Sequence, residues 1–227
     1  MSLQSSNNIL QSWQANAGNW IQTIDHQEIE SRKLITNQAI VETVRHLHPQ
    51  RVLDVGCGEG WLSRALIEHG MDVTGVDAIP ELVENAKNKG QGTFLTATYR
   101  EIAEKDALDG QYFDLIVINF ALIDHEETEL LIHYLPNIIN QQGHLVIQTL
   151  HPLSVIGSLD YKSGWQPGSW NGMKREFVQP YDWYFRTLGD WIRLFKNANL
   201  EVEDMIEPLH PETQQPASVI FVLKNRR

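Results

Sequence analysis

The stretch Asp54-x-Gly56-x-Gly58-x-Gly60 sets one carboxylate ahead of three bare backbone positions. It falls where the apolar run Val52, Leu53, Val55 gives way to an amphipathic stretch with Trp61, Leu62, Ala65 and Leu66 on one side. A buried strand therefore runs through a tight turn into a helix. Glycine accepts positive φ and lets a ligand lie against the main chain, while the unpaired amides of the helix start face the same space. The spacing is not G-x-G-x-x-G, whose third glycine serves a dinucleotide site. An acid just before the turn suits a ligand that carries its own positive charge. A second acid, Asp77, closes the segment MDVTGVD about twenty residues past the first glycine, the spacing of a βαβ nucleotide site.

These two markers together resemble motif I and the strand-2 acid of the class I S-adenosylmethionine (SAM) dependent methyltransferases. Within them the chain is similar to the small-molecule type exemplified by the ubiquinone- and menaquinone-biosynthesis methyltransferases. The motif resemblance runs from about Val52 to Leu150, and the architectural one from about His26 to Leu223. It implies SAM as cofactor and S-adenosylhomocysteine as product, with Asp54, Gly56, Cys57, Gly58 and Gly60 forming the turn beneath it. Asp77 would accept hydrogen bonds from both ribose hydroxyls, with Ala78 beside it. Thr98 and Tyr99 occupy the adenine position, where the family often has an acid and this chain has Thr98. Asn119-Phe120-Ala121-Leu122 corresponds to motif IV, where the methyl donor meets the acceptor. It is unlike the Asn-Pro-Pro-Tyr type of tetrapeptide tied to amino methylation of DNA bases, which favours a small-molecule acceptor.

Methyl transfer from a sulfonium is an in-line displacement, and orientation alone supplies roughly 7–11 kcal/mol of such a barrier. It needs no metal, and none is expected. A hydroxyl acceptor needs a base, and histidine suits neutral pH. His125 follows the fourth strand and His151 the fifth, both at the carboxyl edge where open α/β sheets bind ligands. The expectation favours His151, which opens an aromatic-rich loop; the alternative is that His125 caps its helix and His151 orders the loop before Pro152. Tyr181, Tyr184 and Arg186, before the last helix, and Trp20, near the N-terminus, are the candidates for the acceptor pocket. Trp13 and Trp20 equally suit plain core packing, and Arg32 reads as a solvated surface residue more readily than as a partner of the SAM carboxylate. Competing functions are a SAM-binding protein without catalysis and, on a similar fold, an NAD(P)-dependent oxidoreductase.

The elements that must hold these groups define an α/β chain, a three-layer Rossmann-like sandwich. Its seven-stranded, mostly parallel sheet has order 3-2-1-4-5-7-6, the seventh strand antiparallel, with extra N-terminal helices. One methyltransferase domain covers 1–227, divided into an N-terminal helical cap (1–47), a SAM-binding half (48–150) and a substrate-side half (151–227). Residues 1–8 read as frayed, a first helix covers Ile9 to Thr23, and Asp25-x-x-Glu28 reads as a capping box for a second helix to about His46. FDLIVIN, from Phe113, is a central strand buried on both faces. His144 to Thr149 is the fifth strand after a turn at Gly143, and 151–180 is a long irregular segment of the kind that carries function.

Composition bounds the rest. The 227 residues are 42% hydrophobic with a formal net charge of -11, and no Lys/Arg-rich run offsets it, so nucleic acid is not an expected partner. Cys57 is the only cysteine and reads as a small filler beside the cofactor. No apolar run approaches about eighteen residues and the N-terminus lacks the features of a signal peptide, so no membrane contact and a cytoplasmic location are expected. Oligomeric state is not legible.

Overall fold

The computed structural model describes residues 2–105, 107–156 and 160–226, without the side chains of residues 2–5 and 156. Among the described residues nine strands form in chain order: β1 (Arg51–Val55), β2 (Asp72–Asp77), β3 (Thr93–Thr96), β4 (Phe113–Asn119), β5 (Ile139–Thr149), β6 (Gly164–Gln166), β7 (Trp183–Phe185), β8 (Leu200–Ile206) and β9 (Val219–Asn225). Seven make the main sheet in the order β3-β2-β1-β4-β5-β9-β8. Its first five strands pair parallel, and β9 is antiparallel to β5 and to β8. This is the order read from the sequence, the sixth and seventh strands being β8 and β9. The connection between those two folds back on itself through the Leu209–Pro216 bridge and the His210–Gln215 hydrogen bond, which returns β9 antiparallel to β8.

Helices α1 (Ser2–Asp25), α2 (Asn37–His46), α3 (Trp61–Glu68), α4 (Pro80–Lys89), α5 (Tyr99–Glu104), α6 (Glu126–Tyr134), α7 (Pro152–Ile156) and α8 (Leu188–Asn197) surround the sheet. In β4, Leu115, Ile116, Val117 and Ile118 are all fully buried. Side chains alternate across a strand, so Ile116 and Ile118 pack with Trp191 and Phe195 of α8, while Leu115 and Val117 pack with Ile40 and Val44 of α2 and Leu62 and Leu66 of α3. A central strand covered on both sides by helices accounts for its unbroken apolar run. The carboxyl ends of β1, β2 and β4 are thereby fixed side by side.

Several elements depart from expectation. Helix α1 starts at Ser2 and runs through Asp25, so Asp25 and Glu28 cap nothing: Asp25 pairs with Lys89 of α4 and Glu28 with Arg175. The second helix enters through a π-helical turn, Arg32–Thr36, that continues into α2. Strand β5 begins at Ile139, and Gly143 lies inside it, where a Cβ would sit 2.7 Å from the carbonyl oxygen of Asp114. The segment 151–180 carries α7 and β6, and β6 pairs antiparallel with β7, just past it, as a small ribbon.

Candidate active site

The turn after β1 is built from left-handed backbone: φ is +73° at Gly56, +57° at Gly58 and +81° at Gly60. Amides of Gly56 and Cys57 donate to the Val76 carbonyl (2.7 and 3.1 Å), which joins the turn to β2. Asp77, at the end of β2, accepts from the Gly58 amide through Oδ2 (2.9 Å) and from the Ile79 amide through Oδ1 (2.9 Å). Asp54 Oδ2 accepts from Ser63 Oγ of α3 at 2.6 Å, so this carboxylate locks the turn to the helix from below. Burial pushes Asp54 up to about 7, opposed by the Ser63 hydrogen bond and reinforced by Asp77. Burial likewise raises Asp77, opposed by the amides of Ile79, Gly58 and Ala78. Among the described residues neither carboxylate has a Lys or Arg within salt-bridge distance. Cys57 packs its side chain with Val83, Ala86 and Phe94, so it offers the turn backbone alone.

Above this acidic floor stands a cation without a carboxylate. Arg32 donates from Nε to Asn37 Oδ1 (3.3 Å), its Nη2 is buried without a partner, and its guanidinium lies over the rings of Trp61 (4.9 Å) and Trp20 (5.6 Å). Burial brings its pKa down to about 10 against the pull of Glu59. Trp20 Nε1 lies 3.8 Å from where a Cβ on Gly58 would be, so Trp20 and Arg32 overhang the glycine turn. The expectation that Arg32 is a solvated surface residue is therefore wrong. The signal was present in the sequence, because Arg32 stands one and two helical turns ahead of the buried Thr36 and Ile40.

On the adenine side, Thr98 caps α5 in a capping box with Glu101, which takes up its hydroxyl and amide. The Tyr99 hydroxyl donates to the Ala121 carbonyl (2.9 Å), and burial raises its pKa. A Cβ on Gly56 would fall 2.4 Å from Ala121 Cβ, so the loops after β1 and β4 are in contact. At the end of β4, Asn119 Oδ1 is buried without a partner. Phe120 is held at φ +54°, with its amide on the Gln148 carbonyl (2.8 Å). A bulky residue in that region is strained, and such strain concentrates at functional sites.

The acceptor-side candidates separate into groups. His125, about a third exposed, has Nε2 at 3.2 Å from Glu129 Oε1 and its ring 4.2 Å from that of Tyr184. Tyr184 hydrogen-bonds its amide to the Ile123 carbonyl (2.8 Å) and meets Trp165 edge-on at 5.5 Å. Arg186 is 4% exposed, with Nη1 donating to the Asp124 carbonyl (2.9 Å) and Nη2 to the His125 carbonyl (3.0 Å). His125, Tyr184 and Arg186 thus come together, although the Arg186 guanidinium has no face left for a substrate. Tyr181 belongs to a second cluster with Trp13 (6.1 Å) and Trp170 (5.6 Å), and Trp13 leads on to Trp20 (5.1 Å). Burial pushes the Tyr181 hydroxyl up to about 12.

His151 does not join them. It is 0% exposed, Nε2 lies 2.8 Å from Glu207 Oε1 just past β8, and Nδ1 accepts from the Leu153 amide (3.1 Å). Both ring nitrogens are engaged on the side of the sheet away from β4, which removes His151 as the preferred base. Residues missed from the sequence fasten α1 to the loops around it. Asn16 on α1 pairs its side-chain amide with the Val178 backbone (2.6 and 2.8 Å), and Ser6 Oγ donates to Asp124 Oδ2 (2.7 Å). A polar residue within an apolar helix face, as Asn16 is, was the available signal.

A parallel sheet of this order, with a glycine turn after β1 and an acid ending β2, defines the Rossmann-like methyltransferase fold. A methyltransferase-domain family matches residues 52–143. The ubiquinone biosynthesis O-methyltransferase of Xylella fastidiosa (strain M23) is 31% identical over 163 residues, 68% of this chain and 62% of that protein. Its namesake in Coxiella burnetii (strain Dugway 5J108-111) is 38% identical over 110 residues, 46% of this chain and 45% of that one. The chain therefore spans between about half and two thirds of the length of these relatives. A crystal structure described as a putative S-adenosylmethionine dependent methyltransferase from Listeria monocytogenes has the same fold, with a TM-score of 0.66 and 17% identity over 82% of this chain and 97% of that one. Over residues 52–143, and in fold over most of its length, the chain is similar to the SAM-dependent methyltransferases. No described helix is long and apolar enough to cross a membrane.

Proposed function

We propose that this protein transfers the methyl group of SAM to a small-molecule acceptor in the cytoplasm, with oxygen as the accepting atom and no nucleic acid partner. The observation that carries the reading is the polarity of the site. Two carboxylates, the buried Asp54 and the half-buried Asp77, neither with a Lys or Arg in salt-bridge distance among the described residues, lie at a turn of left-handed glycines, and the half-buried Arg32, whose Nη2 is buried without a partner, overhangs it. SAM combines a ribose, a sulfonium and a carboxylate, and when bound it supplies an electrophilic methyl. Asp77 suits the ribose hydroxyls, the orphaned Nη2 of Arg32 suits the amino-acid carboxylate, and Tyr99 with Ala121 borders the adenine side. His125 is the base candidate, since its ring is partly exposed at the loop after β4. Oxygen is favoured by the O-methyltransferase relatives and by a histidine suited to deprotonating a hydroxyl near neutral pH.

The test is calorimetric titration of SAM and S-adenosylhomocysteine into wild type and Asp77→Ala, followed by methyl transfer from labelled SAM to a panel of catechols and phenols. Binding that is abolished by Asp77→Ala, and label in an ether product, is the expected result. Binding without transfer to any acceptor class would favour a SAM-binding protein lacking catalysis. Binding of NAD and not SAM would return the oxidoreductase reading.

A further inference from the structure

We propose that Arg186 is a positioning residue that sets the His125–Tyr184 pair against the loop after β4; the proposal rests on reading His125 as the base. The guanidinium is buried between the rings of Tyr184 (4.7 Å) and Trp191 (5.1 Å), and its Nη1 and Nη2 donate to the consecutive carbonyls of Asp124 and His125. Burial lowers its pKa, while Glu129, Tyr184, Asp124 and Asp190 oppose that fall from a distance, and among the described residues no carboxylate pairs with it directly. A buried cation without a carboxylate is costly, so its hydrogen bonds must compensate. Here they fall on the two peptide groups that carry the candidate base.

The loop is over-determined around those carbonyls. Asp124 accepts the Glu127 amide through Oδ1 (2.9 Å), which caps α6, and the Ser6 hydroxyl of α1 through Oδ2 (2.7 Å). The Tyr184 amide on the Ile123 carbonyl adds a third tie from β7. Arg186 adds its two carbonyl contacts to this set and lies over the Tyr184 ring, while Tyr184 holds the His125 ring at 4.2 Å with 39° between the planes. The fork of Arg186 reaches both carbonyls at once, a geometry that the point charge of lysine does not reproduce.

The test is imidazole ¹H–¹³C spectroscopy of the full chain with S-adenosylhomocysteine added, assigning His125 through His125→Gln. In wild type the Tyr184 ring displaces the His125 ring protons upfield from the positions of exposed histidines. Arg186→Met is expected to collapse that displacement and Arg186→Lys to retain part of it, with S-adenosylhomocysteine affinity within about threefold of wild type. His125 signals unmoved in Arg186→Met overturn the proposal, and if that variant does not fold, unmoved signals in Arg186→Lys do so. These spectra report the ring pair whether or not methyl transfer occurs. Failure to bind S-adenosylhomocysteine would separately overturn the methyltransferase reading.

Discussion

Replacing Gly56 by alanine tests the contact that joins the two loops framing the site. At φ +73° an L-residue costs about 1–2 kcal/mol in backbone energy. The new Cβ would lie 2.4 Å from Ala121 Cβ, whereas carbons rest at about 3.5–4.0 Å, so the loops must part by about 1 Å. Overpacking of that kind adds about 1–3 kcal/mol. Gly70 offers the control: its φ is +86°, and a Cβ there meets nothing within 4 Å. Gly70→Ala should cost only the backbone term, about 1–2 kcal/mol, against about 2–5 for Gly56→Ala. Deleting the clashing carbon with Ala121→Gly leaves the Tyr99 hydroxyl at 3.4 Å and the residue 121 Cα at 3.8 Å as nearest atoms. The double variant should therefore recover about 1–3 kcal/mol as a favourable coupling. Urea unfolding followed by circular dichroism, with S-adenosylhomocysteine titrations on each variant, reads both quantities. Equal losses for the two glycines, or strictly additive effects of positions 56 and 121, would refute the contact between the loops.

Other outcomes follow from the same geometry. Asp54 carries a folded pKa of about 7, above its unfolded value, so its own contribution to stability falls as pH rises between about 4 and 7 and is level above that. Asp54→Asn, which retains an acceptor for Ser63, should gain stability relative to wild type at pH 8 over pH 5, on the order of a few kcal/mol, as thermal melts across pH would show. Arg32→Met should weaken S-adenosylhomocysteine binding about 10–100-fold, the strength of hydrogen bonds to a charged group, yet leave adenosine, which lacks the carboxylate, within error in calorimetry. His125→Gln should lower the rate of labelled-methyl transfer by about 10²–10⁴ without altering SAM affinity. His151→Ala should cost about 2–5 kcal/mol in urea unfolding by leaving a cavity in place of its fully buried ring, with transfer per folded molecule unchanged.

The sheet order was legible because each strand announced itself by a local signal: the glycine turn after β1, the acid ending β2, the all-apolar run of β4. Helix ends were less so. The Asp25 and Glu28 pattern looks like a cap, but Lys89 and Arg175, far along the chain, take both carboxylates, and local propensity gave way to tertiary ion pairs. The glycine turn after β1, Asp77 ending β2 and Ala121 after β4 do come together, since backbone conformation at the turn is written in glycine. Side-chain roles were another matter. Nothing local distinguishes His125 from His151; the difference is tertiary, one ring being partly exposed and the other fully buried and met by Glu207, more than fifty residues downstream. Arg32 was discounted because a charged residue is usually solvated, and two tryptophans close over it only once the chain is folded.

Helix α1 acts as a strut. Its 24 residues make a rod about 36 Å long, with Ser6 fastened to the loop after β4 near one end and Asp25 fastened to α4 at the other. Trp20 covers the glycine turn from a point between those fastenings. Asn16 fastens it between those ends to the Val178 backbone, and Ala17 and Ile21 pack it on Ile79 and Leu82. A rod held at three points and along one face makes the cover over the turn part of the core's own packing.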